Sequence, residues 1–172
     1  IIENEKEEVI NIDEENKEEE KIEIVEEVIV NATALSNKTN AWGFVRKKDG
    51  VQPEFAAIYT KSLNDYKGIY VGNKEEQVVY LTFDEGYENG YTPAILDTLK
   101  EKNVKATFFV VGSYAKRNPE LVKRAYDEGH TIGLHSYTHQ KSMFNSLEAF
   151  KEEVDKNFDV VYDITGEAPK FF

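Results

Sequence analysis

The sequence predicts an α/β fold built on a parallel sheet, and three observations predict it. From about residue 77 onward, short β-branched and aromatic runs alternate with amphipathic stretches of helical length. Pro residues sit where those stretches start and Gly residues where they end. The resulting order, β-α-β-α-β-α-β, is met by parallel strands joined through crossover helices.

The elements follow in chain order. Residues 1–40 are Glu-rich and contain no aromatic residue, so they read as a solvated, disordered linker that spaces a domain from an anchor, with a partner-binding strand or helix as the alternative. Ile1–Val28 holds 13 acids and 3 bases, so ten of the twelve net negative charges lie there and the rest of the chain carries only −2. The sequons at Asn31 and Asn37 matter only in a eukaryotic secretory pathway. Residues 41–172 are globular in composition, opening with Trp42, Phe44, Phe55, Tyr59, Tyr66 and Tyr70. Gln77–Phe83 predicts a buried strand after the turn at Gly72–Asn73. Thr92–Pro93 predicts a capped helix start, with Ile95, Leu96 and Leu99 on one face up to about Lys102. Ala106–Val111 is the second strand. Asn118–Pro119 starts the next helix, which ends at Gly129, and Thr131–Leu134 is the third strand. Ser146 caps a long amphipathic helix running to Thr165 and Gly166, after which Pro169–Phe172 begin a fourth strand. Three and a half units cannot close a barrel, and an open apolar edge is a liability that folded proteins cover. The expectation is that 41–172 form the N-terminal portion of a domain whose remainder is on a continuation of the chain or on a second polypeptide.

Charge and composition exclude several function classes. Neither part of the chain has the clustered Lys/Arg excess that phosphate binding needs, which argues against nucleic acid as a partner. No apolar run approaches the ~18 residues of a spanning helix, so no integral membrane segment is expected. No signal peptide is visible, and a chain opening at Ile1 reads as a processed or trimmed product. The absence of Cys excludes disulfides and thiolate metal sites.

In parallel α/β folds the reactive groups collect at the C-terminal ends of strands. That rule selects Asp84 and Glu85 after the first strand, Gly112 and Ser113 after the second, and His135 and His139 after the third. Two imidazoles four residues apart lie on one face of a helical turn and can reach one cation. With a carboxylate they make a shell with an open position for water; zinc leads, and cobalt, nickel or iron are alternatives. The plain alternative is an accidental surface pair of His residues. Asp127-Glu128-Gly129 repeats the tripeptide Asp84-Glu85-Gly86 at a helix end, where a solvated acid pair before a capping Gly suffices. His130, opening the third strand, reads as structural.

Thr82-Phe83-Asp84-Glu85-Gly86 and His135-Ser136-Tyr137-Thr138-His139 resemble the first two motifs of the NodB-type polysaccharide deacetylases, carbohydrate esterase family 4. The string Tyr80–Thr92, with Trp42-Gly43-Phe44 and Tyr70-Val71-Gly72-Asn73, is similar to the subgroup that deacetylates N-acetylmuramic acid during sporulation. The resemblance implies a distorted (β/α) barrel, present here as its N-terminal half. It implies Asp84 as general base and His135 and His139 as metal ligands. Glu85 stands where the family has a metal-ligating Asp, or Asn in the subgroup, and being one methylene longer it ligates from a shifted position or not at all. It further implies a peptidoglycan glycan strand as substrate, a divalent metal, and an extracytoplasmic, spore-associated location in the cell envelope. The family's later motifs, which bring the acid and the oxyanion-hole backbone, would follow Phe172, so these residues alone are expected to be inactive. A deacetylase of N-acetylglucosamine in peptidoglycan or chitin and a non-catalytic glycan-binding fragment are the rival readings.

Overall fold

The computed structural model describes residues 43–172 other than Lys74, so the acidic segment 1–40 and Trp42 lie outside the described residues. A short antiparallel pair comes first, β1 (Phe44–Val45) with β2 (Glu54–Phe55), followed by α1 (Ala57–Asp65). Phe55 packs edge-on against Tyr70 at 5.1 Å.

The main sheet is parallel and ordered β3 (Thr82–Glu85), β4 (Thr107–Val110), β5 (Thr131–Leu134). Its register sets Thr82 beside Thr107 and Thr107 beside Thr131. All three strands therefore end level, and the residues that follow them share one rim. Crossovers are made by α2 (Thr92–Glu101) and by the pair α3 (Gly112–Arg117) and α4 (Pro119–Asp127). A 3₁₀ turn (Lys141–Asn145) leads into α5 (Leu147–Thr165). The core lies between sheet and helices: Leu96 and Leu99 of α2, Phe108 and Val110 of β4, Tyr114 of α3, Val122 and Ala125 of α4, Ile132 and Leu134 of β5 and Val161 of α5 are buried. Each large apolar side chain so buried contributes roughly 1.5–3 kcal/mol. Phe83 stacks on Phe108 at 4.9 Å.

Several expectations need correction. The strand expected at Gln77–Phe83 is paired only from Thr82, and Val79 upstream of it is 84% exposed. β-branched composition expresses a preference for a pleated, packed surface, and β4 begins only at Thr107, opposite Thr82. Thr92 is not the cap of α2 but its first residue, buried with its hydroxyl 3.4 Å from Tyr114 Oη. Asn118 stands at the N-cap of α4 with Pro119 first in the helix, as expected, but its side-chain amide turns back to the Tyr114 carbonyl at 3.0 Å and makes no capping bond to α4. The six-residue α3 was not expected, being too short to show a period. Pro169–Phe172 form no strand, although the Leu134 amide donates to the Phe171 carbonyl at 2.8 Å. Glu128 is not simply solvated: Arg124 Nε holds it at 2.9 Å and Lys100 lies 3.5 Å away. At α5 the reading stands. Ser146 Oγ accepts the Ala149 amide at 3.1 Å, and Gly166, with φ of 74°, sends its N–H to the Tyr162 carbonyl.

Candidate active site

Consecutive residues of a strand face opposite sides of the sheet, which separates Asp84 from Glu85. Asp84 is exposed and its Oδ2 lies 4.0 Å from His135 Nε2, longer than a hydrogen bond and close enough for charge to act. The His135 and His139 rings stand 4.8 Å apart, centroid to centroid, tilted by 41°. Of the four residues read as base or metal ligands, Asp84, His135 and His139 are thus neighbours on the rim.

Glu85 is not brought to the imidazoles by any contact seen here. Half-buried on the other side of β3, it has its pKa raised, first by burial and then by the charges of Glu88 and Asp84. Its surroundings include Tyr114, whose phenol burial pushes up to about 12 and which also feels Glu85 and Glu88. Glu88 ties this corner together by accepting from the Gly90 amide at 2.5 Å and from Tyr114 Oη at 3.3 Å. Among the described residues, no group of three or more His, Cys, Asp or Glu is gathered tightly enough to hold a metal ion. Two adjacent imidazoles suit a borderline divalent cation such as zinc, so the donor chemistry of His135 and His139 fits, whereas Glu85 as placed does not complete the shell.

The segment carrying the two imidazoles differs from the helical turn its spacing predicts. Ser136 and His139 adopt φ of 57° and 59°, left-handed values that cost non-glycine residues on the order of 1–3 kcal/mol each unless their surroundings hold them. External partners take up the loop's backbone groups instead of helical hydrogen bonds. The amides of Gly112 and Ser113 donate to the carbonyls of Ser136 and Tyr137, each at 2.9 Å. Ser136 Oγ accepts the His139 amide at 3.0 Å. Glu153, from α5, accepts the amides of Tyr137 and Thr138. Gly112 permits this approach, since a Cβ there would lie 2.5 Å from Tyr137 Cδ2.

Sequence reasoning did not name Glu153. Its signal was present: Phe150, Val154, Phe158 and Val161 mark the apolar, inward-facing stripe of α5, and the half-buried Glu153 and buried Asn157 are polar residues on it. Asn157, fully buried, donates to the Val110 carbonyl at 2.9 Å. A cavity of about 180 Å³ opens elsewhere, lined by Tyr126, His130, Val161 and Phe171, and contains none of the rim residues. His130 is structural, as read: buried, its Nδ1 accepts the Ala106 amide at 3.2 Å.

Residues 71–172 match the family described as Polysaccharide deacetylase. The chain belongs to that family. It is 40% identical over 141 residues to the peptidoglycan-N-acetylmuramic acid deacetylase PdaA of Bacillus subtilis, covering 82% of this chain and 54% of that protein. The solved structure of Bacillus subtilis PdaA, a family 4 carbohydrate esterase, superposes with a TM-score of 0.74 over 80% of this chain and 58% of that one. A family 4 carbohydrate esterase from Bacillus anthracis, also 40% identical, gives 0.69 over 80% and 62%. The peptidoglycan-N-acetylglucosamine deacetylase PgdA of Listeria monocytogenes is 45% identical over 96 residues, 56% of this chain and 21% of that protein. The chain thus spans about half the length of PdaA. The expected fold holds: a parallel α/β sheet matching the NodB-type esterases over part of their domain.

Proposed function

We propose that the protein carrying this chain hydrolyses N-acetyl groups of peptidoglycan amino sugars, N-acetylmuramic acid of the spore cortex first among them. The observation that carries the reading is a carboxylate, Asp84, 4.0 Å from one of two paired imidazoles on a level strand-end rim. Likeness to PdaA over four-fifths of the chain supports the sugar. Location outside the cytoplasm, in the spore envelope, follows from that substrate, and the glycan strand is the partner proposed.

His135 and His139 would hold a divalent metal, zinc by preference, with cobalt, nickel or iron as alternatives. Glu85 would join them only by turning from the Glu88 and Tyr114 side. When bound, such a metal lowers the pKa of water from about 15.7 to about 7 and polarises a carbonyl. Asp84, exposed at the rim, is the group positioned to take a proton from the attacking water as the acetyl C–N bond is broken. The acid for the departing amine and the backbone oxyanion donors are expected from the rest of the domain.

N-acetylglucosamine is the second reading for the sugar, favoured by the 45% identity to PgdA across the motif region. Product analysis of digested peptidoglycan separates the two. Asp84→Asn should lower acetate release by about 10²–10⁴-fold while bound zinc, measured after dialysis, stays the same. Turnover close to wild type would place the base elsewhere; acetate release by neither protein would favour a glycan-binding role without catalysis.

A further inference from the structure

The carboxylate of Glu153 does something that no motif of the rim describes. It projects from the middle of α5, outside both motifs, into the loop between the two imidazoles. Its Oε2 accepts two successive amides, Tyr137 at 3.0 Å and Thr138 at 2.7 Å, and its Oε1 accepts the Thr138 hydroxyl at 2.9 Å. One side chain therefore takes three donors from a five-residue segment. Charge-assisted bonds of this kind are about twice as strong as neutral ones.

The need for such an anchor is visible in the backbone. Ser136 and His139 are both left-handed, and the only bond within the loop that spans it is the one from the His139 amide to Ser136 Oγ, among the described residues. The Gly112 and Ser113 amides grip the loop's carbonyls from one side, and Glu153 takes its amides from the other. One turn further along α5, Asn157 is bonded to the carbonyl of Val110, the last residue of β4. The His135 amide donates to that same carbonyl at 3.1 Å. α5 is thereby tied both to the strand end under His135 and to the loop that delivers His139.

We propose that Glu153 is a positioning residue: its carboxylate holds the Tyr137–Thr138 backbone so that the His135 and His139 rings stay paired toward one cation. The inference rests on the reading of those two imidazoles as metal ligands. Its geometric half, that Glu153 sets the loop, stands apart from the metal.

Both halves are tested in the whole protein with zinc alone as the probe, beside hydrogen exchange of the peptide containing Tyr137 and Thr138. Glu153→Ala should weaken zinc binding by about 10–100-fold, the range for groups that orient metal ligands. It should also speed exchange of the two amides. Glu153→Gln should stay within about threefold of wild type, because its Oε1 can accept both amides while its Nε2 faces the Thr138 hydroxyl. Glu153→Asp, one methylene short, should behave as Glu153→Ala; if the Ala variant does not fold, this variant decides. Wild-type zinc affinity and wild-type exchange in folded Glu153→Ala or Glu153→Asp would overturn the proposal. Unchanged affinity with faster exchange would overturn its metal half alone. Failure of the wild-type protein to bind zinc would sink the reading of the imidazoles as metal ligands, with the exchange measurement still judging the role of Glu153.

Discussion

At His130 a single ring shows how burial assigns a role. Its Nδ1 must be unprotonated to accept the Ala106 amide, and its Nε2 is buried with no hydrogen-bond partner among the described residues. Burial first, and then the charge of Lys105, hold its pKa below the ordinary value of about 6.5. A depressed histidine pKa means that the unfolded chain binds the proton more readily. The associated stability is whole above that ordinary value and is lost as pH falls below it toward the folded pKa. Thermal unfolding midpoints should therefore drop between about pH 7.5 and pH 5.5, ahead of most carboxylate titration. His130→Asn, which keeps an acceptor near the position of Nδ1, should flatten that slope; an equal slope in the variant would assign the proton to another group. The sequence could mark His130 as structural because it opens a strand after a helix-ending glycine. It could not separate Glu85 from Asp84 by surroundings, because the burial that chiefly raises the Glu85 pKa comes from packing on one side of the sheet.

Among the elements, α5 was read correctly at both ends because its signals are local. A cap hydroxyl, an apolar stripe and a terminal glycine act within a few residues of one another. Ser146→Ala removes the bond to the Ala149 amide and should cost about 1 kcal/mol, seen as a lower midpoint in thermal or urea unfolding. No measurable shift would show that the 3₁₀ turn before it carries the helix start. The loop from His135 to His139 was misread for the opposite reason. Its i,i+4 spacing is compatible with a helical turn, but its donors and acceptors are satisfied by Gly112, Ser113 and Glu153, which are far away in sequence. The unpaired stretch before Thr82 belongs to the same class, since a strand exists only where a partner strand meets it.

Across the whole molecule, the level ends of β3, β4 and β5 bring residues 84 and 135, half a hundred positions apart, within charge contact. If the imidazoles bind zinc only in the folded state, the ion must stabilise that state by mass action, by about 2.7 kcal/mol at a free concentration a hundredfold above Kd. Zinc should therefore raise the unfolding midpoint, a chelator should reverse the rise, and His135→Ala should abolish it. A zinc-induced rise that persists in His135→Ala would put the ion elsewhere. By itself the sequence determined the order of the three parallel strands and of the longer helices that follow them, the helix ends marked by Pro and Gly, the family, and that Asp84, His135 and His139 would reach one rim. Those features depend on local propensity, periodicity and strand-end topology, all of which are written along the chain. Only the tertiary structure decided that Asp84 faces His135 while Glu85 faces away, that the histidine loop is left-handed at two residues, and that Glu153 anchors it. Strand register, the side of a pleat and the partners of a buried carboxylate are set by atoms brought together from distant segments, and linear spacing carries no record of them.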